Sequence, residues 1–453
     1  MEKRLFGTSG VRGVVNQDLT PDLCRDVGRA LGTLLASGSA VCLATDSRLS
    51  RELIKGAVTE GLVQCGVNVA HLGTIPTPAL ALIARELGFD AGVMITASHN
   101  PPEFNGIKLF NGNSIGFSRA QEEQIEALYY SGKYRFGKQG QAESAPKLKY
   151  KYFDFIKTLV AGWDLNHGLK VMVDPGNGAA SGFASELFTD LGFKVIPVND
   201  TPDGRFPGRS SEPREDTLQG TIKFLRQKNA DLAICFDGDA DRVVFCDQQG
   251  FLGFNEMISF ISHHVVRASG KKLVATTVET GMLLDLALKD LGGQVIRGKV
   301  GDVYAAYLAR DNDAALGVES VGVYILPAAG YYPDTLLASL TLLSAVKNIG
   351  EIRGFLAKLP PVHFFKDKLD CPNDVKQAVM PVIGQRAQAL KPSSVNELDG
   401  LRLEFGNGWM LIRASGTEPA IRVLAESTTS SDARNLLEKG MSIVDNALKE
   451  VQA

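Results

Sequence analysis

The chain has 453 residues, 44% of them hydrophobic and 22% charged, enough for several packed cores at about 150 residues per domain. Its 48 basic and 51 acidic residues leave a formal net charge of −3, with no like-charged tail. That balance excludes an electrostatic case for nucleic acid or a membrane surface as partner. The six cysteines are scattered and form no C-x-x-C pair; those inside apolar runs such as 41–43 and 234–236 read as core thiols. Residues 1–7 carry no apolar h-region, and no uninterrupted apolar run is long enough for a bilayer, so the expected location is the cytoplasm.

In chain order, residues 6–13 place Gly7, Gly10 and Gly13 around Thr8, Ser9 and Arg12. Such a loop lets backbone N–H groups and a guanidinium approach an anion, although an ordinary turn has the same composition. A helix follows, capped by Thr20 with Pro21 at its first position and Leu23, Val27, Leu31 and Leu35 at helical spacing. Strands at 40–44, 68–72 and 91–95 then alternate with helices at 50–65 and 77–87, the pattern of βαβ units in a parallel sheet. Ligands of such sheets sit at the carboxyl ends of the strands.

Residues 147–163 read as a helix leading to a second βα run that begins at 169–174. Its turn, Pro175-Gly176-Asn177-Gly178, has glycines at 176, 178 and 182, the wrong spacing for a dinucleotide fingerprint, and is expected to be a tight turn of the sheet. A strand at 230–236 delivers Asp237-Gly238-Asp239-Ala240-Asp241-Arg242. A third region runs from 272–275 through 295–296 and carries Lys299-Val300-Gly301-Asp302 and Gly317-Val318-Glu319-Ser320-Val321-Gly322. Pro360-Pro361 makes a linker. The remainder pairs strands 409–413 and 421–426 around the loop 414–420 and ends in a helix from Asp432. Three βα regions of similar size suggest a repeated unit.

Chemistry concentrates in three places. Thr96-Ala97-Ser98-His99-Asn100-Pro101 follows the apolar strand 91–95 and sets an imidazole beside a hydroxyl, which is what serine needs to act as a nucleophile. Turn residues of the same kind are also ordinary at a strand end. Asp237, Asp239 and Asp241 repel one another unless a cation joins them, and hard oxygen ligands with small spacers suit Mg²⁺. An EF-hand is excluded, because Arg242 and Gln248 stand at its sixth and twelfth positions. Arg413-Ala414-Ser415-Gly416-Thr417-Glu418-Pro419-Ala420-Ile421-Arg422 combines backbone donors, hydroxyls and two arginines into an anion nest. Lys108, ten positions after Ser98 and read on the same loop system, is placed to shuttle protons or neutralise phosphate. A serine, a Mg²⁺ cradle and a phosphate nest together make a phosphoryl-transfer site.

These motifs, with Asn105-Gly106-Ile107-Lys108 and in this order along the chain, resemble the α-D-phosphohexomutase family. The resemblance implies an α/β fold of three similar βαβ-type domains with mixed or parallel sheets, at 1–150, 151–252 and 253–360, and a smaller α+β domain at 361–453 around a central cleft. It implies that Ser98 is carried as a phosphoserine which, with Asp237, Asp239 and Asp241, ligates Mg²⁺. Arg12, His99, Lys108 and Arg242 would assist transfer, while Lys299, Glu319, Arg413, Ser415, Gly416, Thr417 and Arg422 would bind substrate. The implied reaction interconverts hexose 1-phosphate and 6-phosphate through a hexose 1,6-bisphosphate that also primes the serine, with glucosamine, glucose or mannose as the sugar. The expected partner is the phosphosugar alone, the chain being a monomer or homodimer. Two departures bear on the sugar: Val321 stands where the family's reading loop has Ser or Asn, and Val318 replaces a glycine. Residues 44–48 keep only Asp46 and Arg48 of another family segment. Rival readings are a phosphatase with Asp237 as nucleophile and a non-catalytic sugar-phosphate binder.

Overall fold

The computed structural model describes residues 4–7, 9–416 and 418–452, so Thr8 and Thr417 of the expected anion loops lie outside the described residues. Four sheets follow one another along the chain. The first contains β1 (Val11–Val14), β2 (Ala40–Thr45), β3 (Asn68–Thr74), β4 (Ala91–Ile95), β5 (Phe104–Asn111) and β6 (Ala142–Ser144), in the order β1-β5-β4-β2-β3-β6. The second contains β7 (Lys170–Asp174), β8 (Lys194–Pro197), β9 (Leu232–Phe236), β10 (Val243–Asp247) and β11 (Gly250–Leu252), in the order β11-β10-β9-β7-β8. The third contains β12 (Leu273–Thr277), β13 (Gln294–Gly298), β14 (Leu316–Glu319) and β15 (Val323–Ile325), in the order β13-β12-β14-β15.

The three sheets share one plan. Strands β5-β4-β2-β3, β10-β9-β7-β8 and β15-β14-β12-β13 repeat the same order, and in each the outer hairpin strand runs antiparallel to its neighbour while the other pairs run parallel. The three hairpin loops are therefore equivalent: 96–103, 237–242 and 320–322. They carry the serine, the aspartates and the Ser320–Gly322 turn. The inner strands β4 and β9 are buried at every position, as expected of strands covered on both faces by helices. Each large apolar side chain so buried contributes about 1.5–3 kcal/mol.

The fourth unit is different. Strands β16 (His363–Asp370), β17 (Ser394–Asn396), β18 (Leu401–Phe405), β19 (Gly408–Ala414) and β20 (Ala420–Ser427) pair antiparallel in the order β16-β20-β19-β18-β17. The terminal helix Ser430–Gln452 and the helix Lys376–Ala387 cover one face. The fold is thus three similar α/β domains and a smaller α+β domain.

Two segments depart from the sequence expectation. Residues 11–14, read as part of a loop, form edge strand β1, with Arg12 opposite Gly106. Lys108, read on a loop, sits within β5 opposite Met94. Asn105 and Gly106 are poor strand residues in isolation, but their backbone groups are buried between β1 and β4 and must be paired there. Among the described residues no helix is long and apolar enough to cross a membrane.

Candidate active site

Strand β4 ends at Ile95, and the loop beyond it turns sharply at Ser98, which adopts a left-handed φ of 50° and is fully buried. Ser98 Oγ donates to Asp237 Oδ2 at 2.6 Å and lies 3.3 Å from His99 Nδ1. The metal loop is packed directly against this turn: a Cβ built on Gly238 would stand 2.3 Å from the Ser98 carbonyl oxygen. On its other side Gly322, with φ 85°, lies against the Val243 backbone, and Val243 N donates to Gly322 O at 2.9 Å. The three equivalent hairpin loops thus meet in a row, with the aspartates in the middle.

Asp237, Asp239 and Asp241 present carboxylate oxygens within 4.8 Å of one another. Thr77 Oγ1 donates to Asp239 Oδ2 at 2.7 Å, and Lys108 Nζ donates to the same oxygen at 2.8 Å and to Asp241 Oδ2. Asp239 Oδ1 and Asp241 Oδ1 are buried and find no hydrogen-bond partner among the described residues. Buried carboxylate oxygens left without a donor carry a large desolvation cost, and a cation removes it. Hard oxygen donors converging in this way fit a small divalent ion.

The charges around the loop divide into two sets. Burial, then Asp241 and Asp239, push Asp237 well above the usual carboxylate range. Asp241 is also buried, but Lys108, Arg242 and Arg12 outweigh that and hold it at about 2. Burial lowers the Lys108 ammonium, yet Asp239 and Asp241 overcome it and raise the group above its ordinary value. Lys108 therefore stays charged, which favours its reading as a neutraliser of phosphate over a proton shuttle. Burial, aided by Arg242, Arg12 and Lys108, drives His99 down to about 3. It is a neutral hydrogen-bond partner of the serine at ordinary pH.

Above these groups opens a cleft of about 880 Å³ to which all four domains contribute, through Arg12 and His99, Arg242, Glu319 and Arg422. Burial and then Asp302 raise Glu319 to about 8, while its Oε1 accepts from Gly301 N at 2.9 Å. The two departures in this loop have different meanings. Val318 is a core residue with no exposure, whereas Val321 is 37% exposed and lines the cleft. Of the two, only Val321 can alter what a ligand in the cleft meets.

The expected phosphate nest is arranged less simply than its sequence. Arg413 Nε donates to Asp399 Oδ1 at 2.9 Å and Nη1 to Glu279 Oε1 at 3.0 Å, which ties the fourth domain to the third. Arg422 lines the cleft and pairs with Glu418 at 3.4 Å. Ser415 is buried, its Oγ accepting from Glu418 N at 3.1 Å, and Gly416 is exposed. Lys299 is exposed beside the cleft lining, its ammonium 5.9 Å from the Tyr304 ring. The structure brings Ser98, His99, Arg12, Lys108, Arg242 and the aspartates together, with Glu319 and Arg422 across the cleft.

Sequence reasoning named Asp46, Arg48 and Asp302 without a role and did not name Ser211 or Glu279. Asp46 and Arg48 are fully buried beneath the serine loop, and Ser211 Oγ donates to the carbonyls of His99 and Asn100 at 2.8 and 3.0 Å. An acid and a base two residues apart just after an apolar strand were a signal for the first pair; nothing in the sequence marks Ser211. Asp302 and Glu279 also line the cleft.

The chain is similar to known proteins along nearly its whole length. Models of the phosphoglucomutase/phosphomannomutase alpha/beta/alpha domains I, II and III match residues 3–135, 150–250 and 254–359, and that of the C-terminal domain matches 368–441. A Pyrococcus furiosus protein named probable phosphoglucosamine mutase is 37% identical over 454 residues, covering 99% of both chains. A Methanopyrus kandleri protein of the same name is 35% identical over 456 residues, again covering 99% of both. The crystal structure of a phosphoglucomutase/phosphomannomutase family protein from Burkholderia thailandensis superposes with a TM-score of 0.87 at 26% identity, covering 98% of this chain and 97% of that one. Matched from the first domain to the fourth, the chain belongs to the phosphoglucomutase/phosphomannomutase family and is a phosphohexomutase, an isomerase.

Proposed function

We propose that this chain is a Mg²⁺-dependent mutase that interconverts the 1- and 6-phosphates of a hexose, with glucosamine phosphate as the first candidate, through a phosphoserine at Ser98. The observation that carries the reading is the Ser98 hydroxyl, buried 2.6 Å from Asp237 and next to His99, which lines a cleft together with Asp241, Arg12, Arg242 and Arg422. The relatives' shared name supports glucosamine. Val321 supports a pocket that reads the sugar without a hydroxyl donor at that position.

In this reading the phosphoryl group passes from Ser98 Oγ to the free 6-hydroxyl of a hexose 1-phosphate. The resulting 1,6-bisphosphate turns over in the cleft, and its 1-phosphate returns to the serine. The same bisphosphate, supplied from outside, primes the enzyme. Asp237, Asp239 and Asp241 would hold Mg²⁺, which supplies charge neutralisation for the transferring group when bound. Arg12 and Arg242 line the cleft, Lys108 lies behind them on Asp239 and Asp241, and all three would offset charge on the phosphoryl oxygens. His99 stays neutral and orients the serine oxygen. Glu319 and Lys299 would meet the sugar, and Arg422, Ser415, Gly416, Thr417 and Arg413 its distal phosphate. Divisions of the chain near 150, 252 and 360, in a monomer or homodimer, belong to the same reading.

The test is an interconversion assay on glucosamine, N-acetylglucosamine, glucose and mannose 1-phosphates, with Mg²⁺ and a trace of hexose 1,6-bisphosphate, run beside Ser98→Ala. Serine-dependent formation of glucosamine 6-phosphate is expected. Release of inorganic phosphate that persists in Ser98→Ala would favour the aspartate phosphatase, and binding without interconversion would favour the non-catalytic reading.

A further inference from the structure

The Asp46–Arg48 pair lies beneath the serine loop, and its hydrogen bonds leave little freedom to the residue above it. Arg48 has no exposed surface, and all five of its guanidinium donors are engaged. Nε reaches Asp46 Oδ2 at 3.0 Å. Nη1 reaches the carbonyls of Pro101 at 2.5 Å and Phe104 at 2.8 Å. Nη2 reaches those of Ser98 at 2.9 Å and Asn100 at 2.6 Å. Three carbonyls of the serine loop and that of Phe104, the first residue of β5, thus converge on one side chain.

The other side of Ser98 is tied to the same pair. Asp46 Oδ2 accepts from Thr96 Oγ1 at 2.7 Å, and that oxygen accepts from Ser98 N at 2.8 Å. The amide and the carbonyl of Ser98 therefore both lead back to Asp46–Arg48. Ser98 needs this, because its φ of 50° is a conformation that costs a non-glycine residue free energy and persists only where its surroundings over-determine it. The second domain closes the arrangement from outside: Phe206 lies over the Arg48 guanidinium at 5.2 Å, and Gly204 packs on the backbone of residues 47–49.

We propose that Arg48 and Asp46 are the positioning residues of the transfer serine: they hold Ser98 in its left-handed turn through the Arg48–carbonyl fan on one side and the Asp46–Thr96 relay on the other, and so set its oxygen between Asp237 and His99. The proposal rests on the phosphoserine reading above. Neither residue faces the cleft, so their loss acts on the chemical step and leaves substrate affinity unchanged.

The experiment compares wild type, Arg48→Lys, Thr96→Val and Ser98→Ala for kcat and KM on the 1-phosphate, for melting temperature, and for phosphate uptake at Ser98 from hexose 1,6-bisphosphate by mass spectrometry. Lysine has three donors on a point charge and cannot replace the fan. Arg48→Lys is expected to lose kcat on the order of 100-fold at unchanged KM, with uptake at Ser98 slowed in parallel. Thr96→Val breaks only the relay, keeps its shape, and is expected to lose kcat in the same sense while melting close to wild type. A folded Arg48→Lys with wild-type kcat overturns the proposal, as does Thr96→Val with wild-type kcat, which decides alone if the lysine variant does not fold. A wild type that takes up no phosphate at Ser98 overturns the phosphoserine reading itself, and this proposal with it.

Discussion

A single methyl group on Gly238 tests whether the contact between the serine turn and the aspartate loop governs turnover. In Gly238→Ala the new Cβ would stand 2.3 Å from the Ser98 carbonyl oxygen, where real contacts keep at least 3.0 Å, so the two loops must part by about 0.7 Å. Neither side gives easily. The Ser98 carbonyl is held by Arg48 at 2.9 Å, and the Gly238 carbonyl accepts from Ala179 N at 2.9 Å. Overpacking of this kind costs about 1–3 kcal/mol, and a displacement approaching 1 Å at a reacting group lowers turnover on the order of 100-fold. Steady-state kcat and KM with Mg²⁺ would show the loss in kcat, and a melting curve would show a modest drop in stability. Gly220→Ala is the control, because its exposed helical site has nothing within 4 Å and the change there stabilises slightly. Gly238→Ala with the kcat of wild type would refute the argument that this contact sets the serine's position.

Three further outcomes follow from named groups. Mg²⁺ should raise the melting temperature, since Asp237, Asp239 and Asp241 lie within 4.8 Å of one another, and Asp241→Ala should remove most of that rise; equal shifts in both proteins would refute the assignment. Burial raises the Asp334 carboxyl to about 6, so the native state holds a proton that the unfolded chain loses near pH 4, and stability falls as pH rises between those values by up to about 3 kcal/mol. Asp334→Asn keeps the acceptor for Tyr152 and Leu337 N and should flatten that slope; urea midpoints of the two proteins from pH 4 to 7 that run parallel would refute it. Arg402→Ala should loosen the fourth domain. It strips the donors from the Val278 and Thr280 carbonyls at the junction with the third domain and removes the cation stacked 3.9 Å from Trp409, at a cost of about 2–4 kcal/mol. Calorimetry should then resolve an earlier transition for that domain, and a single unshifted transition would contradict the prediction.

The local chemistry of the site was legible in the amino-acid order. Apolar strands ending at Ile95 and Phe236 announce themselves by run length, and the loops after them hold Ser98 and the three aspartates. Period, caps and turn residues also sufficed for the repeated βα pattern, because these are decided within a few residues. What depends on distant partners was not legible. Asn105–Lys108 reads as part of the serine's loop system, and it lies in β5 because β1 and β4 supply hydrogen bonds on either side of that strand. Arg413 reads as a free phosphate ligand until the fold brings Glu279 against it across 134 residues. Lys108 has two readings in sequence; burial beside Asp239 and Asp241 selects the charged one. The residues of the candidate site were thus written in the chain. Their charge states, and the left-handed turn that presents the serine, come from desolvation and from the Asp46–Arg48 pair, which exist only once the domains have packed.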